Sequence, residues 1–124
     1  MQMPYLYWGI CYSINNHIKV YTMIKLTVMY PNSADLTFDK DYYVNQHGQL
    51  LKELLGDSIV SSDINFGIAG GSPDEPAPFL VIANLIFDSM ESFKMSFGAN
   101  SEKILTDLPN FTNTHPTVQI SEII

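Results

Sequence analysis

Apolar and polar positions along the chain follow two periods, and the switches between them set the element order. Ile24, Leu26, Val28 and Tyr30 alternate with Lys25, Thr27 and Met29, the period-two pattern of a strand. Pro31, Asn32 and Ser33 end it. The period then becomes helical from Phe38 to Gly56. Tyr43, His47, Leu50, Leu51 and Leu54 share one face, with Gln46, Gln49 and Glu53 off it. Asp39 is the expected N-cap, Phe38 and Tyr43 form a hydrophobic staple, and Gly56 is expected to close the helix in a left-handed conformation. Ile59 to Ala69 reads as a weaker strand, with Ile64, Phe66 and Ile68 on one side and Asp63, Asn65 and Gly67 marking an edge. Gly70 to Pro78 is a loop.

Phe79 to Phe87 is apolar on both parities, as in a strand covered on two faces. Asp88 or Ser89 caps a second helix, with Asp88 and Glu91 spaced as in a capping box and Met90, Phe93 and Phe97 as its buried stripe. Gly98, Ala99 and Asn100 are expected to interrupt it before a short helix over Ser101 to Leu108, which Pro109 stops. Thr117 to Ile123 is a last strand, edge-like, with Val118 and Ile120 inward. The order βαββαβ is the split βαβ pattern of an α+β, ferredoxin-like protomer. Its antiparallel four-stranded sheet has strands 1 and 3 central and helices on one face. The apolar second face of strand 3 calls for a cover. A second copy related by a twofold axis supplies one, predicting a homodimer with sheets packed face to face.

Residues 1–22 do not match this pattern. They are aromatic-rich without a steady period and lack the basic start and apolar run of a secretory signal. The domain is expected to span 23–124, with 1–22 an extension or the product of an upstream start. The alternative is an arm that packs Tyr5, Tyr7 and Trp8 on the domain or a neighbour.

Composition adds mainly exclusions. The 124 residues suffice for one domain with a core. Thirteen acidic against six basic residues give a net charge of −7 without a basic stripe, which argues against nucleic acid and anionic membrane surfaces as partners. The single cysteine, Cys11, suits a reducing cytoplasm, and the three histidines show no metal-ligand spacing, so no metal site is expected. No stretch is long and apolar enough to span a bilayer.

The FD-x-DYY-x-x-x-H pattern (Phe38-Asp39, Asp41-Tyr42-Tyr43, His47), the strand ending Tyr30-Pro31 and the DLPNFT segment at Asp107 to Thr112 resemble the EthD family, over Met23 to Ile124. The resemblance implies a ferredoxin-like protomer paired into a dimeric α/β barrel, with a pocket between helix and sheet walled by His47 and Tyr43. Relatives of the family occur in degradative, aromatic and polyketide pathways. The wider superfamily includes cofactor-free monooxygenases, lactone isomerases and haem-handling proteins, so family narrows fold more than function. Here Gly48-Gln49 follows the histidine, where the family commonly places an apolar pair.

Each candidate has a functional and a plain reading. His47 is either a general acid/base in an apolar pocket, with Tyr43 orienting it or donating to a carbonyl, or a packed histidine bonded to a backbone carbonyl. Asn84 either binds a ligand carbonyl or bonds across the sheets. Tyr30, Phe66, Phe93, Phe97 and Phe111 are either pocket wall or ordinary core. His115 is expected to be exposed. The leading expectation is a small cytoplasmic protein without a tightly bound cofactor, acting on an apolar aromatic or carbonyl-bearing metabolite by acid/base or oxygenase-type chemistry. The alternatives are a non-catalytic binding or accessory protein, and a haem protein with His47 as axial ligand.

Overall fold

The computed structural model describes residues 22–124. The expectations for the N-terminal stretch, including the Tyr5, Tyr7 and Trp8 arm, Cys11 and His17, lie outside the described residues. Four strands, β1 (Ile24–Pro31), β2 (Ile59–Phe66), β3 (Phe79–Phe87) and β4 (Thr117–Glu122), form one antiparallel sheet in the order β2-β3-β1-β4. Strands 1 and 3 are central and 2 and 4 are edges, as the split βαβ pattern predicts. Two helices, α1 (residues 40–55) and α2 (residues 90–106), cover one face. Among the described residues, no helix is long and apolar enough to cross a membrane.

The register decides which side chains meet the helices. Val81, Ala83, Leu85 and Phe87 of β3 are buried, and opposite them stand Tyr30, Val28, Leu26 and Ile24 of β1. The other parity, Leu80, Ile82, Asn84 and Ile86, is half-buried. The core divides along the sheet. At one end, aliphatic and aromatic side chains of β1, β3 and both helices pack around Leu26, Leu55 and Phe87. At the other, Tyr30, Tyr43, Val81, Leu108 and Phe111 form an aromatic cluster. Val28 touches both.

Several local expectations shift. The Gly98–Asn100 break does not occur. Residues 94–98 instead form one wide π turn, and the helix runs on through Ala99–Thr106. Gly98 keeps ordinary helical angles there, since glycine weakens a helix without forbidding it. Gly56 likewise stays right-handed and leads into a 3-10 turn, Gly56–Ser58. Ser89, rather than an Asp88–Glu91 box, caps α2 by accepting from the Ser92 N–H. Met90 is exposed, and Ile104 takes its place in the buried stripe. Val118 and Ile120 do face the helix side, opposite Val28 and Leu26. They stay about half exposed because an edge strand lies at the margin of the helical layer. β2 stops at Phe66, leaving Ile68 on the surface. A Cβ at Gly67 would overlap the Phe79 carbonyl and the Ala77 side chain, so only glycine lets the chain turn out at that point.

Candidate functional site

The site begins with the start of α1. Asp39 accepts from the Tyr42 N–H at 3.0 Å, as an N-cap should, and the rings of Phe38 and Tyr43 meet edge to face at 5.1 Å. The next turn, Tyr43–His47, is a π turn, a form common at functional sites. It stacks the Tyr43 and His47 rings at 5.6 Å and 17°. Both side chains are buried, His47 to 3 % exposure.

The partner of His47 comes from the far end of the chain. Its Nδ1 lies 2.8 Å from Oδ2 of Asp107, the first residue of the DLPNFT segment. Oδ1 of Asp107 accepts from the Tyr42 hydroxyl at 2.7 Å and from the Asn110 amide at 2.9 Å. This segment is tied to the approach to α1: the Asp39 N–H donates to the Phe111 carbonyl, Thr112 Oγ1 to the Thr37 carbonyl, and Phe38 and Thr112 form a bridge. Phe111 packs against the imidazole at 4.7 Å. The distance between the histidine and its carboxylate is therefore fixed by backbone.

Burial lowers the His47 pKa below its ordinary 6.5, although Asp107 pulls the other way through its hydrogen bond and charge. Burial works to raise the Asp107 pKa, but bonds from Tyr42, Asn110 and His47 outweigh it and hold the group below the usual carboxylate range. Near neutral pH the pair is a neutral imidazole donating Nδ1–H to a carboxylate, with Nε2 left as the basic nitrogen. Burial pushes Tyr43 up to about 12. It raises Tyr30 further, with help from Tyr43 and Asp107. Both phenols stay neutral.

Residues of both core clusters line a cavity of about 340 Å³ between the sheet and the helices. His47, Tyr43, Tyr30 and Phe97 line it, with Val28, Leu51, Leu85, Ile104 and Leu108 as apolar wall. Exposed Lys52 and Asp63 lie at its rim. Of the remaining sequence candidates, Phe66 and Phe111 brace Tyr43 and His47 from outside the cavity, and Phe93 lies in the other cluster beside Phe87. Asn84 points to the opposite face of the sheet. It accepts from Thr27 Oγ1 at 2.8 Å and donates to Asp63 at 3.0 Å, a row within one sheet. His115 is exposed.

Sequence reasoning passes over Asp107 and Tyr42. Asp107 opens the DLPNFT segment, but it is 60 residues from His47, and nothing in the spacing shows the contact. Among the described residues no group of three or more His, Cys, Asp or Glu is placed to hold a metal.

The EthD domain matches residues 32–115. Among solved structures, an EthD-like protein of Ralstonia eutropha JMP134 is 33 % identical, with a TM-score of 0.78 over 85 % of this chain and 95 % of that one. An EthD-family protein of Bacillus halodurans C-125 is 19 % identical, with a TM-score of 0.57 over 82 % and 99 % of the two chains. A provisionally named monooxygenase of Shewanella loihica PV-4 is 14 % identical, with a TM-score of 0.56 over 86 % and 98 %. No curated protein matches the chain.

Proposed function

The chain belongs to the EthD family, and from that premise we propose a cofactor-independent acid/base enzyme acting on a small aromatic or carbonyl-bearing metabolite. One observation carries the reading: Asp107 occupies Nδ1 of a buried, neutral His47, which lines an apolar cavity. A carboxylate-held imidazole of this kind is a general base at Nε2, and its imidazolium is stabilised by the same carboxylate. Tyr43 stacks on the ring and fixes its plane. A phenol or enol bound here would lose its proton to Nε2. The electron-rich anion could then react with dioxygen as co-substrate. The name of the Shewanella loihica protein is compatible with that route, but its likeness to this chain is one of fold.

We also read the working unit as a homodimer in the cytoplasm, with the outer sheet faces packed into a barrel. The polar row across that face, Thr27–Asn84–Asp63, satisfies itself by hydrogen bonds, so covering it strands few polar groups.

The test is His47→Ala against a panel of phenols and lactones. Turnover should fall by about 10²- to 10⁴-fold, the usual weight of a general base, with ligand affinity kept. Unchanged turnover would refute the acid/base reading, and binding without any wild-type turnover would favour a carrier.

A further inference from the structure

Two polar groups in the cavity have no use in that reading. The Tyr30 and Tyr43 side chains are 2 % and 4 % exposed, and both line the cavity with His47. Tyr42, by contrast, spends its hydroxyl on Asp107. Among the described residues no hydrogen bond engages the hydroxyl of Tyr30 or Tyr43. Buried hydroxyls without a partner among the described residues require an explanation. The two rings meet edge to face at 5.5 Å, and Tyr43 continues the line to His47. Phe38 and Phe111 pack against Tyr30, so the ring is held on several sides.

We propose that Tyr30 and Tyr43 together form an oxyanion hole, and that the substrate is an apolar ketone with a β,γ double bond and an acidic α-C–H bond, isomerised through its dienolate to the conjugated ketone. The proposal rests on His47 being the base. A carbonyl oxygen accepts two hydrogen bonds, matching two phenol donors, and the apolar wall fits the hydrocarbon part. His47 Nε2 takes the α-proton. The C–H electron pair becomes the C=C bond, and the carbonyl π pair moves onto oxygen. Tyr30 and Tyr43 donate to that oxygen, where negative charge develops. The imidazolium, held by Asp107, returns the proton to a conjugated carbon. The sum is a 1,3-proton shift in which nothing is oxidised or reduced. Burial keeps both phenols neutral, so they serve as donors and not as bases. Donors fixed in a water-poor cavity act on the transition state without reorganising, which is where such bonds count most.

The experiment uses the full chain with 2-tetralone as carbon acid and 2-naphthol as a stable shape of its enol. Exchange of the α-protons is followed by NMR in deuterated buffer, and 2-naphthol binding by fluorescence. Wild-type protein should accelerate exchange. Tyr30→Phe and Tyr43→Phe should each slow it by about 100-fold, the usual weight of one such donor, and weaken 2-naphthol binding. His47→Ala should abolish exchange. Loss in His47→Ala with both Tyr→Phe variants at wild-type rate and affinity would overturn the oxyanion hole and leave the base standing. Undiminished exchange in His47→Ala would remove the base itself. No acceleration by wild-type protein that binds 2-naphthol would also overturn the proposal. Phenylalanine fills the same space, and a melting curve for each variant separates lost donation from lost fold. Should one variant melt early, the other carries the test.

Discussion

His47 is the residue on which burial and charge pull in opposite directions. Desolvation disfavours the imidazolium, Asp107 favours it, and desolvation wins. The folded pKa lies below 6.5, so the unfolded chain binds the proton more readily. Stability supplied by the neutral imidazole is therefore complete above pH 6.5 and is lost as the pH falls through the folded value. Asp107, also depressed, adds its own loss below its ordinary 3.8. Melting temperature should fall between pH 7 and pH 5, and His47→Gln, which cannot titrate, should flatten that slope. An equal slope in the variant would mean that His47 is not buried neutral. The histidine and its stacked Tyr43 were legible because helix period alone puts them on one face. Asp107 was not, because its place depends on how the last loop is tied to Phe38 and Asp39, a tertiary matter.

At the scale of elements, the two wide turns carry the difference between pattern and structure. An ideal helix puts Leu50 and Leu54 on the buried face with His47. The π turn over Tyr43–His47 rotates the remainder of α1, so that Leu55 is the buried residue of Gly48–Leu55, with Leu51 and Leu54 half-buried. A second π turn over Lys94–Gly98 carries α2 through the expected break. The bounds of strand 3 were legible, since a run apolar on both faces between a Pro-rich loop and a serine cap leaves little freedom. Gly48 lines the cavity in plain helical geometry, and a Cβ there would meet only the Tyr43 carbonyl oxygen at 3.6 Å. Gly48→Ala should thus stabilise the helix by about 1 kcal/mol and raise the melting temperature by a few degrees. It should also weaken ligand binding by narrowing the cavity beside His47. A lower melting temperature would show that the π turn needs glycine.

The whole molecule places helices on one face of the sheet and a mixed apolar face on the other. Leu80, Ile82 and Ile86 surround the self-satisfied Thr27–Asn84–Asp63 row. The central place of strand 3 followed from polarity, because only a strand covered twice stays apolar on both parities, and that of strand 1 from the split βαβ element order. The proposed dimer would cover the second face with its own counterpart. Native mass spectrometry should give a dimer, and Ile82→Asp should shift it to monomer by placing a charge at the proposed contact. A wild-type monomer would contradict the barrel while leaving the His47 site intact.

The central claim is a neutral His47 held at Nδ1 by Asp107 with Nε2 free as base. Nitrogen-15 NMR of the histidine ring tests it most directly. The account predicts a protonated Nδ1 and a bare Nε2 at pH 7, a pKa below 6.5, and loss of the single tautomer in Asp107→Asn. An imidazolium at pH 7, or a proton on Nε2, would contradict it.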